Sequence, residues 1–251
     1  MPGMATTSDR PGRRVRVTDT VFGAGDAAVE AYVVEPADAE AQGGVLFLHW
    51  LGDRRSDRTQ FLPEARRLAA VGIRGVLPAG RLPWLPDPVD ADADIASIEL
   101  EQRRLGAALD ALAAGLPKGA PLALVGHDFG AMHGLLLAAR KPRFAAVVLI
   151  AATPRWGDWF LRFWKVEGDR FDYLRRLAPF DPIEAARGLK ATALWQFSER
   201  DFYIAPMSAI ELANAAPGEP VIEWYPGDHA MRSPRARASR AAFLRRELDV
   251  S

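Results

Sequence analysis

The chain has 251 residues, of which 49% are hydrophobic and 25% are charged, which is ordinary usage for a globular protein. Its 32 basic and 32 acidic residues balance, so the charge indicates neither a nucleic-acid partner nor a membrane-surface partner. The absence of cysteine excludes disulfides, thiolate metal sites and a cysteine nucleophile. No segment approaches the roughly 18 consecutive apolar residues that cross a bilayer, and we expect a cytoplasmic protein.

Residues 1–12, which are rich in Gly, Pro, Ser and Thr, are predicted to be a disordered tail, and residues 13–251 a single domain. The alternating residues 14–36, with a glycine-rich turn near Gly23, predict an antiparallel edge hairpin. Short apolar runs then predict six strands at Val45–Leu48, Ile73–Leu77, Leu122–Val125, Ala146–Ile150, Ala193–Phe197 and Val221–Tyr225. Helical spacing predicts helices at Phe61–Val71, Ala93–Leu112 and Met132–Ala139. This alternation predicts an α/β fold with a mostly parallel, doubly wound sheet and helices on both faces.

Residues 153–190 interrupt the alternation of strands and helices with a segment that is dense in aromatic residues. We expect a short helical insertion that covers a substrate pocket like a cap. The pocket residues predicted from this segment and from two loops are His49, Trp156, Trp159, Tyr173 and Phe202. The alternative is that the aromatic residues of the insertion only pack it onto the core.

The segment Leu122–Gly134 carries the most informative motif. A buried strand ends at Gly126 and leads directly into a helix, with Asp128 midway between Gly126 and Gly130. Small residues at these two positions are what a strained strand-to-helix turn requires. The motif resembles the nucleophile elbow of the α/β-hydrolase fold, with Asp128 where esterases carry serine. From these residues alone, Asp128 could equally be a helix N-cap.

Two later segments follow the chain order of that fold, which is nucleophile, acid, histidine. Asp201 follows the fifth predicted parallel strand and His229 follows the sixth, so the resemblance implies a triad of Asp128, Asp201 and His229. It also implies an oxyanion hole. Its donors would be the backbone N–H of Phe129 and that of either Trp50 or Leu51, in the loop after the first apolar strand.

The other histidines have structural interpretations. His49 is expected to fix the oxyanion loop by hydrogen bonding, His127 to pack or bond locally at the elbow, and His133 to be structural. They lack Asp or Glu at the spacing of metal ligands, so we predict neither a metal site nor a cofactor.

Within the superfamily, two narrower resemblances differ. The overall layout, with a short insertion and a YPGDHA histidine loop, is similar to dienelactone-hydrolase-type members. The elbow GHDFG resembles haloalkane dehalogenases and epoxide hydrolases, whose nucleophile is aspartate. The chain departs from both of the latter: Phe129 stands where dehalogenases have a halide-binding Trp, and the insertion offers only Tyr173 where epoxide hydrolases use two tyrosines.

An aspartate nucleophile favours displacement at saturated carbon, because attack on an ester would give a mixed anhydride. The sequence therefore predicts a hydrolase that acts on a small epoxide or alkyl halide through an alkyl ester on Asp128, with Tyr173 or Trp156 assisting the leaving group. One alternative is a dienelactone-hydrolase-like ester or lactone hydrolase. Another is a non-catalytic binder of small molecules. The expected partner is a small-molecule substrate, and a homodimer is left open.

Overall fold

The computed structural model describes residues 14–50, 58–80 and 87–249. The predicted edge hairpin is confirmed by two antiparallel strands, β1 (Val15–Phe22) and β2 (Val29–Pro36). A 3-10 turn at Gly25–Ala27 lies between them. The predicted tail, residues 1–12, lies outside the described residues.

All six predicted apolar strands are confirmed. They are β3 (Gly43–Leu48), β4 (Ile73–Pro78), β5 (Leu122–His127), β6 (Ala146–Ile150), β7 (Thr192–Ser198) and β8 (Val221–Tyr225). In the described part of the chain these six strands and the hairpin form one eight-stranded sheet with the order β1-β2-β4-β3-β5-β6-β7-β8. Pairing is parallel from β4 to β8 and antiparallel at the hairpin edge. Every residue of β3, β5 and β6 is buried, because helices cover both faces of the sheet.

The three predicted helices correspond to α1 (Leu62–Ala69), α2 (Ala91–Ala114) and α3 (Phe129–Arg140). The insertion contains α4 (Gly157–Phe163), α5 (Arg170–Leu177), a 3-10 turn at Ala178–Phe180 and α6 (Pro182–Arg187). Helices α7 (Pro206–Ala215) and α8 (Pro234–Glu247) flank β8 in the chain. Over the described ranges, every helix is too short or too polar to cross a membrane.

Two buried carboxylates fix the insertion: Asp94 binds it from α2, and Asp181 ties two of its segments together. Asp94 on α2 accepts hydrogen bonds from the Tyr173 hydroxyl at 2.6 Å and from the Val89 amide at 3.1 Å. Asp181 has the sequence position of an N-cap, but its side chain does not cap α6; it accepts a hydrogen bond from the Trp156 amide at 2.9 Å. Burial raises the pKa of Asp94, and it raises the pKa of Asp181 to about 7. The insertion is therefore held by polar contacts as well as by apolar packing.

The turn from β5 into α3 has little room for side chains. Asp128 has φ 54° and ψ −120°, a backbone conformation that L-residues rarely adopt. A Cβ on Gly126 would lie 2.6 Å from the Ala131 Cα atom, and a Cβ on Gly130 would overlap the carbonyl oxygen of Leu48. Helix α3 starts at Phe129, three residues earlier than predicted, because the turn joins strand and helix without a loop.

We therefore expect Gly126→Ala to lower the free energy of unfolding by about 3 kcal/mol, because the new methyl group would meet backbone atoms that cannot move aside. Denaturant unfolding measures this change. Gly188→Ala is the matched control, since its Cβ would have only an ordinary contact of 3.7 Å with Ala185 O. Equal stability of the two variants would contradict this account of the elbow.

Candidate active site

The fold brings the three predicted catalytic side chains together at the carboxyl edge of the sheet. Asp128 follows β5, Asp201 follows β7 and His229 follows β8. His229 Nδ1 lies 2.8 Å from Asp201 Oδ2, and His229 Nε2 lies 3.6 Å from Asp128 Oδ1. The first distance is a hydrogen bond and the second is longer than one. All three side chains are at most 7% exposed.

The carboxylate of Asp201 is held by the chain that follows it. Its Oδ1 atom accepts hydrogen bonds from the backbone amides of Tyr203 at 2.8 Å and Ile204 at 3.1 Å. Its other oxygen therefore faces His229 Nδ1 in a fixed direction. This places a proton on Nδ1 and directs Nε2 of the ring towards Asp128.

The two carboxylates determine the charge of His229. Burial alone lowers the pKa of this ring, but the interactions with Asp128 and Asp201 outweigh it and raise the pKa to about 9. The imidazolium contribution to stability is therefore complete below pH 6.5 and is lost as the pH rises through about 9. At neutral pH the ring is protonated, because both carboxylates favour the imidazolium.

The backbone amide of Trp50 donates to Gln60 Oε1 at 2.8 Å. Because this N–H already has an acceptor, the contact argues against Trp50 as an oxyanion donor. The other candidate, Leu51, lies outside the described residues. Phe129 occupies the first position of α3, where a backbone N–H has no acceptor within the helix. Its role as an oxyanion donor stays a prediction.

His49 has the orienting role that its structural interpretation predicts. Its Nε2 atom accepts a hydrogen bond from the Gly80 amide, and its Nδ1–H donates to the carbonyl oxygen of Trp50, both at 2.8 Å. The side chain is 8% exposed. His49 thus fixes the peptide that follows Trp50.

Aromatic rings surround His229. The ring centroids of Tyr203, Trp159 and Trp50 lie 5.0, 5.7 and 6.0 Å from that of His229. Phe202, which was predicted for the pocket, is 75% exposed, and its ring contacts Tyr203. Sequence reasoning missed Tyr203. The available signal was its position, two residues after the predicted acid and next to Phe202.

The predicted leaving-group roles of Trp156 and Tyr173 are wrong. Trp156 Nε1 donates to the carbonyl oxygen of Phe180 at 2.7 Å, and the Tyr173 hydroxyl donates to Asp94. Both side chains are almost completely buried, so the packing interpretation holds for these two rings. The Tyr173 bond attaches the insertion to α2 and the Trp156 bond lies within the insertion, and both polar groups are already engaged.

Trp159 differs from these two rings. Its Nε1 atom is buried and has no hydrogen-bond acceptor among the described residues. Its ring lies 5.3 Å from the ring of Phe129 and contacts that of His229. A buried indole N–H usually finds an acceptor, so a donor without one beside this cluster indicates a place where a ligand atom could bind.

A family profile described as the α/β hydrolase fold matches residues 84–225, which is more than half of the chain. The chain belongs to the α/β hydrolase fold family. No curated protein gives a significant match to this chain.

The solved structures that resemble this chain share its fold at low sequence identity. An acylaminoacyl peptidase from Pyrococcus horikoshii has a TM-score of 0.72 at 15% identity, over 94% of this chain and 41% of that chain. An S-formylglutathione hydrolase from Staphylococcus aureus has 0.68 at 16% identity, over 94% and 98%. A cold-adapted esterase from an Arctic intertidal metagenomic library has 0.67 at 17% identity, over 96% and 100%. The chain spans about two fifths of the length of the peptidase. The narrower resemblances to dienelactone hydrolases and dehalogenases stay predictions.

We expect Asp128→Asn to lower the pKa of His229 from about 9 towards 6.5, because one of the two neighbouring negative charges is lost. NMR titration of the histidine rings measures this change. Asp228→Asn is the matched control, since this exposed carboxylate is adjacent to His229 in the chain but accepts a hydrogen bond from the Ala230 amide instead of from the ring. A pKa of His229 that is insensitive to Asp128→Asn would contradict the charge coupling.

Proposed function

We propose that this hydrolase cleaves a small organic electrophile, an epoxide or an alkyl halide, through a covalent alkyl ester on Asp128. The observation that supports this proposal is the aspartate at the strained elbow, with His229 Nε2 facing it at 3.6 Å. The residue type at this position decides the chemistry, because a carboxylate and a hydroxyl attack different substrates.

In the first step, a carboxylate oxygen of Asp128 bonds to a saturated carbon of the substrate. The bond from that carbon to halogen or to the epoxide oxygen breaks, and its electron pair leaves with the halogen or oxygen atom. Asp128 needs no base for this step, since it attacks as the anion. The N-terminus of α3 favours that anion.

In the second step, water hydrolyses the ester. Ester formation removes the negative charge of Asp128, so the pKa of His229 falls and its Nε2 proton leaves, to the alkoxide of an opened epoxide or to solvent, which makes Nε2 a base. It takes a proton from water, whose oxygen attacks the ester carbonyl, and the bond from the acyl carbon to the alkyl oxygen breaks. His229 returns the proton to the departing alcohol, and one water oxygen remains in Asp128. Phe129 N–H, with Leu51 as the remaining candidate for a second donor, would stabilise the oxyanion.

Of the insertion residues Trp156, Trp159 and Tyr173, we assign Trp159 as the donor to the leaving group. Its buried Nε1–H has no acceptor among the described residues, in contrast to the engaged groups of Trp156 and Tyr173. A hydrogen bond to a developing halide or alkoxide would satisfy this group and stabilise the charge that forms.

A second candidate is hydrolysis of an ester or lactone in the manner of dienelactone hydrolases. The short insertion and the similarity to structures named esterase or S-formylglutathione hydrolase favour it. Asp128 would then have another role than nucleophile. A third candidate is a non-catalytic binder of small molecules. The hydrogen-bonded Asp201–His229 pair that faces Asp128 argues against it, because binding alone needs no such pair.

We expect His229→Gln to complete one rapid turnover and then stop, because the attack by Asp128 needs no base whereas hydrolysis of the ester does. Intact-mass and peptide analysis should find the substrate on the peptide that contains Asp128. Single-turnover hydrolysis by the unchanged enzyme in heavy-oxygen water should place the label in Asp128.

Asp128→Ala is the control for this experiment and should show neither the rapid turnover nor the adduct. A panel of epoxides, alkyl halides, aryl esters and lactones supplies the substrates. Cleavage of esters by the unchanged enzyme, with no adduct on His229→Gln from any epoxide or halide, would favour the second candidate. Binding without turnover of any substrate would favour the third.

We expect Trp159→Phe to slow the first step by about tenfold, because one hydrogen bond to a charged leaving group is lost. Rapid-quench measurement of the first turnover isolates this step. Trp195→Phe is the matched control, since Trp195 Nε1 is also buried without an acceptor among the described residues but lies within β7. An equal effect of the two substitutions would contradict the role given to Trp159.

A further inference from the structure

A chain of hydrogen bonds connects the loop after β3, the end of β5 and the loop after β8. The Trp50 amide donates to Gln60 Oε1 at 2.8 Å, and Gln60 Nε2 lies 2.7 Å from His127 Nδ1. His127 Nε2 lies 2.9 Å from the carbonyl oxygen of His229. The His127 ring also stacks on the Trp50 indole, with centroids 5.1 Å apart and planes inclined by 10°.

The direction of every bond in this chain is determined by its two ends. A backbone N–H can only donate, so Gln60 presents its oxygen to Trp50 and its NH₂ group to His127. His127 Nδ1 must then accept, and Nε2 must carry the proton because the carbonyl of His229 can only accept. A second proton on His127 would leave two donors facing each other at Nδ1.

The surroundings of His127 also oppose a positive charge. The ring is 1% exposed and lies 5.6 Å, centroid to centroid, from the ring of His229. Burial, followed by the charges of His229 and Arg240, lowers the pKa of His127 well below 6.5. Arg240 reaches this region from α8 and is paired with Glu64, and the carboxylate of Asp128 belongs to the next residue in the chain.

We propose that Gln60 and His127 form a positioning pair that keeps His127 neutral, with its proton on Nε2, and thereby holds the backbone of His229. Two neighbouring imidazoles thus differ in charge, one being positive and the other neutral. His229 is protonated between two carboxylates, and His127 is neutral between an amide and a carbonyl. The role in turnover rests on the proposed function, whereas the protonation state of His127 does not.

The structure supplies a matched control for this pair. Gln102 Nε2 lies 3.4 Å from His133 Nδ1 and donates to the carbonyl oxygen of His133 at 3.1 Å. This second buried Gln–His contact joins α2 to α3 and does not involve His229. Each of the substitutions Gln60→Met and Gln102→Met therefore removes a glutamine amide that lies beside a histidine Nδ1. Only the first of these amides is connected to His229.

The first test uses NMR of ring-labelled histidine in the full chain without substrate. The chain has four histidines, so single substitutions assign each ring. His127 should be neutral, with the proton on Nε2, throughout the pH range in which His229 titrates. Gln60→Met should leave the proton on Nε2, which still faces the His229 carbonyl, but should raise the pKa of His127, because Nδ1 loses the donor that opposes a second proton, and should shift the titration of His229, whereas Gln102→Met should change neither. A proton on Nδ1 of His127 in the unchanged protein, or an unaltered His127 in Gln60→Met, would overturn the proposal.

The second test uses turnover. Gln60→Met should reduce the rate of ester hydrolysis by about tenfold while the first turnover stays rapid, because only the step that needs His229 depends on its position. His127→Leu should have the same effect. His127→Gln should recover most of this loss, since its amide offers one acceptor and one donor and cannot be protonated. Equal losses in His127→Leu and His127→Gln, or an equal loss in Gln102→Met, would overturn the positioning role.

The two tests separate two kinds of failure. If no substrate forms an adduct on Asp128, the proposed chemistry fails, and the NMR test of His127 still decides whether the positioning pair exists. If adducts form and the NMR test fails, the pair is wrong and the chemistry stands.

Discussion

The backbone of Asp128, at φ 54°, is the constraint on which the site depends. This conformation costs free energy in an L-residue, and it persists because the surrounding strand and helix hold it on both sides. Gly126 and Gly130 allow the strand and the helix to approach each other this closely, because any side chain at either position would overlap backbone atoms. The turn places the carboxylate at the start of α3 and at the edge of the sheet, where the loops after β7 and β8 also end. Asp201 and His229 can therefore reach it.

Charge at the site is controlled by pairing within an aromatic surrounding. His229 is almost fully buried among the rings of Trp50, Trp159 and Tyr203, which exclude water and strengthen its interactions with the two carboxylates. His127, whose ring centroid lies 5.6 Å from that of His229, is bonded to a side-chain amide and a backbone carbonyl and stays neutral. The same low-dielectric region thus favours opposite protonation states in two identical side chains, because their hydrogen-bond partners differ.

The insertion contributes to the site through one ring and to stability through two others. The Tyr173 hydroxyl anchors the segment to Asp94 on α2, and the Trp156 ring anchors it by packing on Phe129 and His133 of α3. Trp159, on the same helical segment as the anchored Trp156, contacts both Phe129 and His229. Because the insertion is fixed in this way, it holds the Trp159 ring against Phe129 and His229.

Local patterns in the sequence determined the strands, the elbow and the chain order of Asp128, Asp201 and His229. Apolar runs, helical spacing and glycines two residues from a polar one act between near neighbours, so they can be recognised without a structure. Only the tertiary structure decided which aromatic residues of the insertion are anchors, that the Trp50 amide is engaged, and that Gln60 and His127 are partners. Gln60 and His127 are 67 residues apart, and Tyr173 and Asp94 are 79 apart. Such contacts depend on how the sheet brings distant loops together, and the spacing of residues along the chain carries no trace of them.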